Sequence, residues 1–117
     1  MKTGDCFEAN ARWLVFFNIE GDDWLLVHGM PVGTGGEVEG KRFAHAWLES
    51  RDGKTVLDLS NGGEVKGRRD LYYKAGTITE EKGMLIRYER AEVRKKIVEF
   101  GHWGHWELDK AKIEIGE

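Results

Sequence analysis

The chain contains one cysteine, Cys6, and one proline, Pro31, in 117 residues. A single thiol excludes an intramolecular disulfide, so a buried core must hold the fold, and the composition suits a reducing compartment. Long hydrophobic runs are missing. The longest, Trp13 to Phe17, falls far short of the ~20 residues a helix needs to cross a bilayer. The start, Met1-Lys2-Thr3-Gly4-Asp5, lacks the apolar stretch of a secretory signal, which makes the cytoplasm the expected location. Charge of one sign is also lacking: the net charge of −3 comes from mixed residues and offers no basic surface to nucleic acid or an anionic membrane. Glycine and tryptophan are plentiful, at sixteen and five. Many glycines with almost no proline point to tight turns and short loops, hence to sheet. No compositional shift divides the chain, so residues 1–117 are expected to form one domain large enough for its own core.

Periodicity places the elements. Cys6, Ala9, Asn10, Trp13, Leu14 and Phe17 share one helical face. Thr3 or Asp5 is available as a cap and Gly21 as a stop. With Glu8 and Arg12 its only internal charges, this helix is expected to be central and buried on most sides. Trp24 to Gly29 alternates as a strand. Gly33 to Gly40 is a loop, and Asn61-Gly62-Gly63 a turn. A short helix is expected near Arg68–Lys74 with a stop at Gly76, a strand over Met84–Tyr88, a helix over Arg90–Phe100 ended by Gly101, and an edge strand at Ile113 and Ile115. Gly35–Arg42 and Gly62–Arg69 echo each other, but two copies make no solenoid.

The chemistry centres on Phe43–Glu49 and Thr55–Ser60, joined by Arg51-Asp52-Gly53-Lys54. Asp-Gly between alternating apolar residues is a hairpin signal. With Asp52 and Gly53 as the loop, Trp47 opposes Asp58 and His45 opposes Ser60. His45 and Asp58 then form a diagonal pair on one sheet face. A carboxylate beside an imidazole fixes its tautomer and orientation, as in the base half of a nucleophilic triad. Cys6 opens a helix, where backbone N–H groups and the dipole favour a thiolate. Each residue also has a plain reading. A lone cysteine is often a small buried hydrophobe, a strand histidine a satisfied core residue, and Asp58 a partner for backbone or Arg42. Asn61 competes with Asp58 as orienter.

Other motifs carry less. Gly35–Lys41 spells a phosphate-loop pattern, but Arg42 replaces the required hydroxyl residue, and Glu37 and Glu39 would repel phosphate. His102 and His105 lack a third ligand nearby in sequence. With His28 and the carboxylates they define a weaker, zinc-hydrolase reading. Trp103 and Trp106 flank those histidines and, with His28, are candidates to border a substrate groove.

A helix-opening cysteine, then His45-Ala46-Trp47-Leu48-Glu49, then Val56-Leu57-Asp58 resembles the transglutaminase-like core of the papain-like cysteine peptidase superfamily. The resemblance spans about Gly4 to Gly62, and small phage-type cysteine hydrolases are comparable. It implies an α+β fold with the N-terminal helix packed on an antiparallel sheet. It also implies Cys6 as nucleophile, His45 as general base and acid, Asp58 as orienter, and a thioester acyl-enzyme. The substrate would be a peptide or other amide, with no cofactor. The upstream glutamine of papain-type enzymes has no counterpart before Cys6. The Cys6 backbone N–H, Asn10 and Trp47 are the candidate oxyanion donors in its place. The competing class is a non-catalytic binding module on the same fold.

Overall fold

The computed structural model describes residues 5–17, 23–60 and 62–115. The first helix, α1 (Asp5–Arg12), runs on into a π-helical turn at Trp13–Phe17. Its buried side consists of Cys6, Phe7, Asn10, Ala11, Leu14 and Val15, spaced as one helical face. Phe17, expected on that face, is 70% exposed, and Phe16 also projects outward. The wider π turn carries the later residues off the straight helical stripe. The helix is thus buried along one side and not on most sides. The caps expected from Thr3 or the Asp5 side chain, and the stop at Gly21, lie outside the described residues.

Strands β1 (Trp24–Gly29), β2 (His45–Ser50), β3 (Thr55–Ser60), β4 (Gly63–Arg68) and β5 (Leu85–Tyr88) form an antiparallel sheet in the order β4-β3-β2-β1-β5. Helices α2 (Arg69–Gly76) and α3 (Arg90–Phe100) complete the architecture. Strand alternation sorts the apolar side chains between two faces. Leu26, Ala46, Leu48, Leu57 and Tyr88 meet α1 together with Val93 of α3. Val27, Trp47 and Val56 meet Tyr72 and Tyr73 of α2. A Cβ at Gly29 would lie 2.3 Å from the Trp47 ring, so a glycine there lets the indole lie across β1. A third cluster of Met30, Met84 and Leu108, backed by Ile113, closes the β1–β5 end.

The central hairpin has the register expected: Leu48 pairs with Leu57 and Glu49 with Val56. Its loop is longer than two residues. Gly53 N–H bonds Ser50 O at 2.9 Å, Gly53 takes φ 77°, and Asp52 accepts from Ser50 Oγ and Lys54 N. Adding two residues to the loop leaves parity unchanged, so the faces are as expected. Three expectations need correction. Gly63–Arg68 is a strand rather than part of a repeated turn, and its echo at Gly35–Arg42 carries a 3₁₀ turn at Gly36–Val38 instead. Helix α2 runs through Gly76, and the left-handed stop is Thr77, at φ 49°. Ile113 and Ile115 lie in no strand. Their segment follows a 3₁₀ turn at Lys110–Lys112 and is held by the bonds of Glu114 N and Ile115 N to Arg42 O.

Candidate functional site

The site forms where β2 and β3 stop pairing directly. At the end marked by His45 and Ser60, the two strands are joined through Asn10 of α1. Its Nδ2 donates to Ala46 O at 3.1 Å and Leu59 O at 2.9 Å, while Leu59 N donates back to Asn10 Oδ1 at 3.0 Å. The same amide bonds Cys6 O at 2.7 Å. A fully buried amide with every polar atom paired is a rigid element. It sets the start of α1, and with it Cys6, against the gap between the strands.

His45 and Asp58 are joined by a 2.9 Å bond from Nε2 to Asp58 Oδ2, with side chains 16% and 11% exposed. Since Nε2 is engaged, Nδ1 is the ring nitrogen left for Cys6, whose thiol in α1 lies near enough to act on the imidazole electrostatically. Burial alone would lower the pKa of His45. The bond to Asp58 and the proximity of Cys6, with the charges of both, outweigh burial and raise it to about 10. Burial likewise pushes the Asp58 carboxyl upward, but the His45 bond and charge overcome it and hold the group below its usual range. The imidazole is therefore cationic at neutral pH and the carboxylate ionised. His45 of β2 and Asp58 of β3 pair on one sheet face as the hairpin register predicts. Arg42, the alternative partner for Asp58, instead donates to Met30 O and Thr77 O.

A fourth member was not legible in the sequence. Tyr72 of α2 donates its hydroxyl to Asp58 Oδ2 at 2.7 Å, the oxygen that His45 also engages. Burial, then the Asp58 charge, raises the Tyr72 pKa well above that of a free phenol, so it remains a donor. A buried network fixes α2 in turn. Glu49, 1% exposed, accepts from Tyr73 Oη, from Trp47 Nε1 at 3.1 Å and from Arg87 Nε at 2.9 Å. The adjacent Tyr72-Tyr73 pair and the glutamate in His-Ala-Trp-Leu-Glu were the available signals, but sequence periodicity does not orient a two-turn helix.

The supporting residues are placed differently from expectation. Asn10 uses its amide to join the strands, and Trp47 Nε1 is fully buried on Glu49, so neither donor is open to a substrate oxygen. Asn61 lies outside the described residues. His28 is fully buried in the core, in ring contact with Phe7, Tyr88 and Trp106. Trp106 is buried and donates to His102 O. Trp103 is half-buried, packed on the core with the Arg12 guanidinium over its ring. These aromatics fill the core because the loop carrying them folds back onto α1 and β1. None of the three lies in the lining of the cleft beside His45 and Tyr72. Among the described residues no group of three His, Cys, Asp or Glu side chains is arranged to hold a metal ion, and no helix is long and apolar enough to cross a membrane.

The cleft is elsewhere. A cavity of about 450 Å³ opens beside His45 and Tyr72, walled by Pro31, Val38, Phe43, Ala75 and Ile78, with Gly33 and Gly35 along one side. Cys6 is 7% exposed and is not part of that lining. This arrangement puts a cationic imidazole, held by an oriented carboxylate, on the wall of an apolar cleft, with the Cys6 thiol outside that lining. The chain matches no protein-family model, no curated protein and no solved structure.

Proposed function

We propose that the protein is a thiol-dependent amide hydrolase, a small cysteine peptidase or amidase on a papain-like, transglutaminase-like core. The observation that carries this reading is the hydrogen-bonded His45–Asp58 pair with the Cys6 thiol beside the imidazole, the three side chains coming from separate elements. In the reaction, Cys6 Sγ attacks the amide carbonyl carbon, forming a C–S bond. His45 gives its proton to the departing amine as the C–N bond breaks, which leaves a thioester. Water then attacks the thioester, His45 takes its proton, and the acid leaves as the thiolate is restored. An amine in place of water gives transamidation. Cys6 lies in the first turn of α1, where backbone N–H groups have no intrahelical partner. Its own N–H is the donor proposed for the oxyanion. Tyr72 and Asp58 keep the ring oriented throughout.

The test is the pH dependence of Cys6 alkylation by iodoacetamide, followed by mass. An imidazolium-paired thiolate reacts at a nearly constant rate from about pH 6 to 8, whereas an ordinary thiol titrates near ~8.5. A single ordinary titration, unchanged in His45→Ala, would remove the mechanism. One observation favours a second reading, a binding module in which the polar group is structural: Cys6 is buried and outside the cleft lining. Cys6→Ser separates the two, ending turnover in the first and leaving ligand affinity intact in the second.

A further inference from the structure

The walls of the cleft carry information about the substrate. Pro31, Val38, Phe43, Ala75 and Ile78 present apolar surface, and the lining contains no lysine, arginine, aspartate or glutamate. Its polar side chains are Thr34, His45 and Tyr72, and the last two are engaged with Asp58. A charged side chain entering here would lose its hydration and find no counter-charge beyond the His45 imidazolium already paired with Asp58. An apolar one would be stabilised by the area it covers. The volume of about 450 Å³ is in the range of sites that enclose a small ligand, roughly 300–1,000 Å³. It accommodates one bulky side chain with the backbone beside it. Backbone approach is open along one edge, since a Cβ at Gly35 or Gly36 would meet nothing within 4 Å.

We infer that the cleft selects a neutral, apolar side chain, aliphatic or aromatic, next to the amide presented to Cys6, and that Val38 is a specificity-determining residue. This rests on the thiol-hydrolase reading for its chemistry, but its test is separable. The probes are blocked tripeptides Ala-X-Ala, with an acetyl and an amide terminus and X as Leu, Phe, Lys or Asp. The readout is the concentration of each that halves the initial rate of Cys6 alkylation by iodoacetamide. Protection does not depend on which side of X is cleaved. The Leu and Phe peptides are expected to protect at concentrations at least about 10-fold lower than the Lys and Asp peptides. In Val38→Asp, a carboxylate on the wall should bring the Lys peptide closer to the Phe peptide by about 10-fold, a ratio measured within one variant. Equal protection by all four peptides, or none by any, overturns the inference. If that happens while alkylation still depends on His45, the hydrolase reading stands without it. Loss of the His45 dependence removes both.

Discussion

His28 and His45 sit on neighbouring strands, one residue out of step: His28 pairs with Ala46, and Gly29 pairs with His45. That offset puts the two imidazoles on opposite faces of one sheet. On the α1 face, His28 is surrounded by Phe7, Tyr88 and Trp106, and neither ring nitrogen has a hydrogen-bond partner among the described residues. Burial, then the nearby charges of His105 and His102, lowers its pKa to about 3. On the α2 face, burial acts in the same direction on His45, yet Asp58 and Cys6 reverse it and lift the pKa to about 10. Desolvation alone leaves a histidine neutral. A carboxylate within bonding distance is what keeps one strand histidine cationic, and without one its neighbour stays neutral.

The comparison is broken most directly at the proposed active residue. His45→Ala should lower turnover by at least about 10⁴-fold, as removing a triad base does, while His28→Leu should change it by less than about 3-fold. The measurement is kcat/KM on a blocked peptide amide, and equal losses in the two variants would erase the functional distinction. Asp58→Asn comes next. The amide keeps the shape but not the charge that holds His45 cationic, and the expected loss is about 10²–10⁴-fold, with the low-pH plateau of Cys6 alkylation shortened. An alkylation profile identical to the parent would show that Asp58 does not set the His45 charge. Tyr72→Phe deletes one of the two bonds on Asp58 Oδ2 and is expected to cost about 10-fold in kcat at little change in KM. A loss confined to KM would make Tyr72 part of the cleft only.

How far these residues could be anticipated depends on which physical signal each one leaves. Cys6, His45 and Asp58 were legible because a helix start and a hairpin register are local properties, fixed by capping, alternation and the Asp52-Gly53 turn. Strand β4 was not. All its residues are exposed, and Gly63, Glu64, Lys66 and Gly67 give no alternating apolar pattern, as befits an edge protected by charge. The role of Asn10 was hidden for a different reason. Its partners, Ala46 and Leu59, are distant in sequence, and nothing in a helical period marks an amide that replaces sheet pairing. The expected groove border at Trp103 and Trp106 with His28 rested on aromatic loop residues that pack on the core instead. The actual walls come from apolar residues scattered through the Pro31–Phe43 segment, α2 and Ile78 just beyond it.

The remaining expected effect is on stability, and it sharpens the contrast in a direction that turnover cannot reach. His28 has a folded pKa of about 3 against an ordinary value of 6.5, so between those pH values the unfolded chain binds the extra proton. Stability must then fall as pH drops from 6.5 toward 3, by up to about 1.4 kcal/mol per pH unit from this group. His45 has the opposite sign. With a folded pKa of about 10, its stabilisation is complete below 6.5 and is lost as pH rises toward 10. The two histidines together place a maximum near neutral pH. Urea denaturation across pH 4–9 checks this, and the two limbs are separately removable. His28→Leu replaces a buried imidazole that has no hydrogen-bond partner among the described residues with an apolar side chain, so it should flatten the acid limb and leave the alkaline one. Asp58→Asn should flatten the alkaline limb and leave the acid one steep below pH 6.5. If His28→Leu leaves the acid limb unchanged, the proton taken up on unfolding belongs to another group, and the neutral, enclosed state of His28 is not what limits the fold in acid.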